Sequence, residues 1–455
     1  MVMKTIFITC FTGLITRNIL STDAFDLLRV HPDLRIVIIA PESRAAILRR
    51  EYGGPSVSVA AVAAVPLVSI TKLWWVLATN LLATGTRRVQ RRAKLERDGG
   101  QLEYVLSGFV GWLGRSPIIR RLFRGLTRWL PERDAIRDLI SRYQPNLIFA
   151  TDVYTPYDVE LMRAGERRGI AVTGMVRSWD NVTSKTLLAF VPERIAVNTQ
   201  GVKEELVRYG DVPAESVFIC GIPHYERYRE ERRTPREEFF RRFGLDPKQK
   251  LVLFTPPSDT YLKSDPVAPV ILKALETVGA QVLVRLALVG KTELGGYQPP
   301  TGVVLDAPAN SPDFIEVHMD READRHLADS ISHADVVVTW ASTMIIDAVV
   351  FDKPVVLVGF DATRRPYGKS IQQYYDYDHQ RRILETGGAK LARSPEELFK
   401  FVERYLEDPG RDRDARARLR DEYCGPLDGK SGERLARYLL EALDPAVRPR
   451  GHSTL

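Results

Sequence analysis

The chain predicts an α/β protein made of two doubly wound parallel sheets of the Rossmann type, facing across a cleft. Three observations carry this. Short runs rich in Val and Ile alternate with amphipathic stretches along most of the 455 residues. These runs are nearly continuous in apolar character, as strands buried on both faces are. A charge-dense interruption at 226–246, with Pro235 inside it, splits the series into halves of ordinary domain size.

Residues 4–10 read as the first strand, and 35–40 and 57–62 as the next two. Lys4 followed by an apolar stretch resembles a short signal peptide, but Arg17 closes it and no small-x-small cleavage site follows, so a buried strand is expected. Further strands fall at 146–151, 170–176, 194–198 and 217–220, separated by helical patterns at 134–143, 158–168 and 200–209. The second series begins at 250–255 and continues at 281–288, 302–305, 335–339 and 354–358. From Pro395 on the chain is helical and charged. The expected division is an N-terminal domain (1–225), a linker (226–246), a C-terminal domain (247–429) and a helix with tail (430–455). In open α/β sheets ligands bind beyond the carboxyl ends of the strands, which places the site in the cleft.

Lys and Arg total 65 against 58 Asp and Glu, a net charge of +7. Between Lys72 and Arg133 there are 13 basic and four acidic residues, a surplus of +9, so the rest of the chain is slightly acidic. One segment therefore carries the basic character, and a local anionic partner is expected rather than nucleic acid. On a helical wheel of 117–130, Ile118, Trp129, Leu122, Leu126, Ile119, Leu130 and Phe123 share one arc. Arg120, Arg124, Arg128 and Arg121 share the other. That pattern, with four of the six tryptophans nearby, predicts a helix lying in an anionic membrane interface. The competing reading is a helix that covers the sheet and leaves its arginines in water. No apolar run reaches the ~20 residues of a membrane span; the nearest, 57–84, is broken by Pro66, Lys72 and Asn80. Three scattered cysteines, Cys10, Cys220 and Cys424, suit a reducing, cytoplasmic setting.

Several motifs are absent or imperfect. No G-x-G-x-x-G follows a strand. Residues 425–431 look like a phosphate-binding P-loop but are one residue short and follow no strand. His318, His326 and His333 lack metal-ligand spacing, and Asp376 and Asp378 read as a solvated loop.

Four constellations remain. At 335–358 a strand, a polar turn, a helix and a second strand follow one another. Thr339, Ser342 and Thr343 stand where the first strand ends and the helix begins, a natural anion site. Asp347 lies one turn on, where a carboxylate can accept from ribose hydroxyls; equally, Ser342 is a plain N-cap and Asp347 a surface acid. Gly13, Arg17 and Asn18 lie at the turn after the first strand, which a bare turn explains as well. Asp152 and Asp180 sit in polar, aromatic clusters at two strand ends, as general bases or as helix caps. His379 follows the tyrosine-rich run 374–377, near Gly387 and Gly388.

The 339–354 stretch resembles the donor-nucleotide motif of GT-B glycosyltransferases and the matching part of CDP-glycerol glycerophosphotransferases, which share that fold. The 178–185 run resembles a signature of surface-polysaccharide transferases. The resemblance implies a GT-B-like enzyme, related also to UDP-N-acetylglucosamine 2-epimerases. It would move a sugar from a nucleotide-diphosphate donor to a lipid-linked or polysaccharide acceptor. It implies that Ser342 and Thr343 meet the diphosphate and Asp347 the ribose; by position, Thr339 is a further candidate for the phosphate, and His379 for the donor phosphate or sugar. Gly13, Arg17, Asn18, Asn181 and Lys185 would face substrate, and Asp152 or Asp180 would take the acceptor proton. Arg285 would offset the leaving diphosphate, although Arg285-Leu-Ala-Leu288 departs from the Arg-x-His-Pro frequent in such proteins. No metal or other cofactor is expected. A polyol-phosphate transferase using CDP-glycerol, a 2-epimerase and a non-enzymatic scaffold are the alternatives.

Overall fold

The computed structural model describes residues 3–63, 69–230, 233–262 and 265–444. The chain forms two compact units. The first holds residues up to Arg87, Val105–Glu226 and the part from Gly425 on; the second holds Arg88–Tyr104 and Arg227–Cys424.

The first unit carries a parallel seven-stranded sheet: β1 (Lys4–Thr9), β2 (Leu34–Pro41), β3 (Val57–Val62), β4 (Leu147–Ala150), β5 (Ala171–Met175), β6 (Arg194–Val197) and β7 (Val217–Ile219), ordered β3-β2-β1-β4-β5-β6-β7. The second carries a parallel six-stranded sheet: β8 (Leu251–Phe254), β9 (Gln281–Arg285), β10 (Val303–Asp306), β11 (Val336–Thr339), β12 (Val355–Val358) and β13 (Ala389–Ala392), ordered β10-β9-β8-β11-β12-β13. Every expected strand is present. The sequence reading missed only β13, a four-residue edge strand that is half-exposed at its centre. The runs at β1 and β2 are buried almost throughout, which is why they lack the alternation of a half-exposed strand.

Helices that matter below are α1 (Asp23–Arg29), α2 (Ser69–Leu81), α3 (Gly85–Asp98), α4 (Gln101–Leu113), α5 (Pro117–Thr127), α6 (Pro156–Arg167), α7 (Asn181–Ser184), α8 (Arg321–His333), α9 (Met344–Val350), α10 (Asp378–Glu385) and α11 (Ser431–Ala442).

The division of the chain differs from the expected one in three places. The expected linker 226–246 contains a helix, Arg236–Arg242, whose Phe239 and Phe240 are fully buried in the second unit. Residues 88–104, out of the basic segment, also belong to that unit. There Gly368 lies so close to Ala93 that a Cβ would sit 2.5 Å from its carbonyl oxygen, and the Gly368 amide donates to Glu96 at 2.8 Å. The expected tail returns to the first unit. Its helix α11 packs on α1, and Leu435, Ala436 and Leu439 join the core formed by Phe25 and Leu28. Residues 445–455 of that tail, and Pro66, lie outside the described residues.

The P-loop lookalike resolves in the same place. The Ser431 amide and hydroxyl donate to the buried Glu226 carboxylate at 2.7 and 2.6 Å. The anion held at this helix N-terminus is the protein's own.

The basic helix is docked the other way round from the reading in which it covers the sheet. Arg120 grips Asp211 through two nitrogens, at 2.6 and 2.5 Å. Arg124 donates to the carbonyls of Leu188 and Gly210 at 2.9 and 2.6 Å. Burial lowers the proton affinity of Arg124 more than Asp211 restores it. Burial alone would raise the Asp211 carboxyl, and the two arginines instead hold it low. Arg120 and Arg124 thus face the domain while Arg121 and Arg128 are exposed, and most of the apolar arc faces out, with Ile118, Leu122, Leu126 and Trp129 exposed and Phe123 buried. A helical period fixes which residues share an arc, not which arc is buried. Among the described residues no helix is long and apolar enough to cross a membrane.

Candidate active site

Each sheet has a switch point, where the strand order reverses: between β1 and β4 in the first, between β8 and β11 in the second. Threonine hydroxyls meet at both. Thr255 Oγ1 donates to Thr339 Oγ1 at 2.6 Å, and Thr339 Oγ1 lies 3.1 Å from Ser342 Oγ. Ser342 Oγ in turn accepts from the Met344 amide at 3.3 Å, at the start of α9. Thr343 occupies the cap position without a side-chain cap bond and is exposed. Hydroxyls and amide groups therefore gather beyond the carboxyl end of β11, the arrangement suited to phosphate oxygens.

Asp347 lies in this helix but is buried, which excludes the surface-acid reading. Its charge is felt by the buried Cys424 thiol, which burial first and Asp347 second push up. Trp340, between Thr339 and the turn, packs against Tyr261 and Tyr374, with ring centroids 4.9 and 5.5 Å away. Tyr374 leads through Tyr377 to His379. His379 is a buried residue of the first turn of α10 rather than a loop residue, and its carbonyl accepts from Tyr423. Asp376 accepts from Tyr367 and Arg381, and Asp378 opens α10, so neither lies in a solvated loop.

Arg285 ends β9 and is buried against Asp306 of β10, Nη1 to Oδ2 2.5 Å. The same oxygen lies 3.0 Å from His326 Nε2 of α8. Burial would raise the Asp306 carboxyl, but His326 and Arg285 together hold it below its usual range. The charge expected to be spare for a diphosphate is thus partnered within the protein. Sequence spacing gave no hint of this, because Arg285, Asp306 and His326 meet only through strand pairing.

In the first unit, Thr9 Oγ1 lies 3.1 Å from Thr151 Oγ1 and donates to Asp158 Oδ1 at 2.5 Å. Thr155, the N-cap of α6, donates to the other Asp158 oxygen at 2.5 Å and accepts from the Asp158 amide at 3.0 Å. Burial, with Asp152 adding to it against these hydrogen bonds, raises the Asp158 carboxyl to about 7. Asp158 was not among the expected site residues. A strand-terminal threonine recurring at 9, 151, 255 and 339 was the available signal.

Asp152 is buried and receives Arg177 Nε at 2.9 Å and the Tyr154 amide at 3.2 Å. Burial would lower the Arg177 proton affinity, and the Asp152 carboxylate more than reverses that. Asp180 is half-buried and makes no side-chain cap bond to α7. Its Oδ1 accepts from Ser178 Oγ at 2.5 Å, and its carbonyl accepts from Ser184 Oγ at 2.7 Å. Asn181 beside it is buried, with no hydrogen-bond partner for Nδ2 among the described residues, while Lys185 is exposed.

Gly13 is buried in the turn after β1, and Asn18 is half-exposed. Arg17 lies in a π-helical turn, Thr16–Leu20, and is buried. Burial first, and Arg17 second, disfavour the charged form of His224 in the same unit. The structure therefore gathers Asp152 with Arg177, and Arg17 with His224. In the second unit it gathers Thr339 with Ser342, while Arg285 is held in a separate ion-paired cluster.

Residues 304–441 match the family model described as CDP-Glycerol:Poly(glycerophosphate) glycerophosphotransferase. A comparison with curated proteins finds no match. Among solved structures, a protein described as a UDP-N-acetylglucosamine 2-epimerase from Listeria monocytogenes is 15% identical. It aligns over 97% of this chain and 96% of its own, with a TM-score of 0.55. The UDP-GlcNAc 2-epimerase from Neisseria meningitidis, solved with UDP-GlcNAc bound, is 12% identical over 96% of this chain and 100% of its own, with a TM-score of 0.52. The glycotransferase of kitacinnamycin is 12% identical over 98% and 100%, with a TM-score of 0.51. At these identities the likeness is one of fold. The chain has the GT-B fold, and the region that matches the glycerophosphotransferase model begins in the second unit and runs on into α11 of the first.

Proposed function

We propose that the protein is a metal-independent transferase of cell-surface glycan synthesis, moving a sugar from a nucleotide diphosphate to a lipid-linked or polysaccharide acceptor. It would work as a peripheral protein on the cytoplasmic face of an anionic membrane, through the 72–133 segment. The observation that carries the donor assignment is the hydroxyl relay Thr255–Thr339–Ser342 at the switch point of the second sheet, opening onto α9. In this reading Thr339, Ser342 and Thr343 receive the diphosphate, Asp347 fixes the ribose end, and the Trp340–Tyr374–His379 cluster borders the donor. Gly13, Arg17, Asn18, Asn181 and Lys185 face the acceptor.

Of the two candidate bases, Asp180 is the better placed. Asp152 is buried with an oxygen occupied by Arg177 Nε at 2.9 Å, whereas Asp180 is half-exposed. The acceptor hydroxyl would give its proton to Asp180 as its oxygen bonds the sugar's anomeric carbon, and the nucleoside diphosphate leaves with the bonding electron pair.

The match at 304–441 favours a second reading, transfer of glycerol phosphate from CDP-glycerol, in which the attack is on phosphorus. Thermal shift against UDP, GDP, CDP and dTDP separates the two. A shift with CDP alone supports the second, and a shift with UDP, GDP or dTDP supports the first. Turnover of UDP-N-acetylglucosamine without acceptor would instead mark a 2-epimerase, and no shift at all would leave a scaffold. In Asp347→Ala the nucleotide shift should be lost; unaltered affinity would remove Asp347 from the site. Activity should survive EDTA, and a loss restored by a divalent cation would refute metal independence.

A further inference from the structure

Of the twenty large apolar side chains exposed among the described residues, thirteen lie between Ile70 and Trp129. Ten of them form one stripe on each of three helices: Ile70, Leu73 and Val76 on α2, Val105, Leu106, Phe109 and Trp112 on α4, and Ile118, Leu122 and Leu126 on α5. Trp129, just past α5, is 85% exposed.

The three helices, α4 from Val105 on, are packed on one another in the first unit. Trp74 of α2 stacks on Phe123 of α5, with centroids 4.4 Å apart, and its indole donates to Thr127 at 2.8 Å. Gly114, after α4, lies against the Leu81 backbone so closely that a Cβ would overlap the carbonyl oxygen. The outward stripes are therefore held by an inward set of contacts, and two of the three arginines of α5, Arg120 and Arg124, belong to that inward set.

The cations left facing solvent beside the stripes are Lys72, Arg115 and Arg121, and none has an ion-pair partner among the described residues. No Asp or Glu occurs between Glu51 and Glu96 or between Glu103 and Glu132. An apolar face with exposed tryptophan and a cationic margin, whose one acid, Glu103 in the first turn of α4, is paired with Lys94, fits a bilayer containing anionic lipid. A second copy of the chain would bring like charges together.

We infer that α2, α4 and α5 insert their apolar stripes into the acyl boundary of the bilayer. Arg120 and Arg124 act as internal pins of the inserting helix and not as lipid contacts. Lys72, Arg115 and Arg121 meet the headgroups. This deepens the peripheral reading above, replacing attraction through the arginine row by hydrophobic insertion. Vesicle binding needs neither donor nor acceptor, so its failure and that of the transferase reading are separable.

The test is flotation of the full chain with phosphatidylcholine vesicles, with and without about 30% phosphatidylglycerol, at about 0.1 M and about 1 M NaCl. Insertion predicts binding to both vesicles, strengthened by phosphatidylglycerol at low salt and largely kept at high salt. The triple variant Leu122→Ser, Leu126→Ser, Trp129→Ser should lose at least about tenfold in partitioning at both salts. Its melting temperature should be unchanged, because all three side chains are exposed. Lys72→Gln with Arg121→Gln should lose only the phosphatidylglycerol increment. Binding that vanishes at high salt and ignores the triple variant would overturn insertion in favour of charge. No vesicle binding, with a concentration-dependent dimer, would assign the face to a second copy.

Discussion

Threonines 9, 151, 255 and 339 each end a strand or follow one, and in pairs they bring hydroxyls together at the two switch points. In the first sheet this arrangement surrounds a carboxyl, Asp158, whose pKa is raised to about 7 chiefly by burial. The sign of its linkage follows directly. Between the ordinary carboxyl value and about 7 the folded state keeps a proton that the unfolded state has lost. Stability from this group is therefore greatest at low pH and falls as pH rises through that window. Asp158→Asn removes the dependence. The variant should gain on the wild type by up to about 1.4 kcal/mol per pH unit as pH rises, levelling off above about pH 7. Urea denaturation at several pH values measures the difference, and parallel stability profiles would show that Asp158 is ionised throughout. A second residue-scale expectation concerns Thr339, whose hydroxyl is the centre of the donor-side relay. Thr339→Val should keep the fold, since the site is fully buried and the shapes match, while weakening nucleotide binding about tenfold, read by calorimetric titration.

Elements show where sequence reading succeeds and where it stops. Strands β1, β2, β8, β11 and β12 were legible because they are buried on both faces, so composition alone marks them. The Ser342–Thr343 turn was legible because strand, small polar residues and helix follow one another locally. Arg285 with Asp306, Asp152 with Arg177, and Glu226 with Ser431 were not, because each pair joins positions far apart along the chain. Helix α5 is the sharpest case. Its two arcs were read correctly, but the internal role of Arg120 and Arg124 was not legible, because the deciding partner, Asp211, is 91 residues from Arg120. Asp211 sits in a left-handed backbone conformation, φ 46°, which suits Asp better than most side chains. Asp211→Ala leaves Arg120 and Arg124 largely buried without their carboxylate, and should cost about 2–4 kcal/mol. Trp74 stacks on α5, so its fluorescence should report undocking early in a denaturant titration. An unchanged midpoint would mean that the carbonyls of Gly114, Leu188 and Gly210 suffice to hold the two arginines.

For the whole molecule, the decisive fact is that the chain visits its first unit more than once. It leaves at Glu226 and comes back at Gly425, so the last described helix completes the core that the first strands begin. The returning turn needs Gly425, whose φ is +66° and where a Cβ would stand 2.7 Å from the Asn198 carbonyl. Glu226 and Ser431 then lock the two passages together, a charge-assisted contact in a buried place. Shortening the chain to end at Cys424 would uncover Phe25 and Leu28 and leave Glu226 without Ser431 and Arg434. The cost falls on the first unit alone, because the second keeps every residue of its own sheet and core. Calorimetry of the shortened chain should therefore lose the transition of the first unit and retain that of the second. Ser431→Ala in the full chain should lower the first transition more gently, by about 1–3 kcal/mol in stability. Loss of both transitions together would show that the units fold as one cooperative block, and unchanged melting would show that α11 is dispensable to the core it joins.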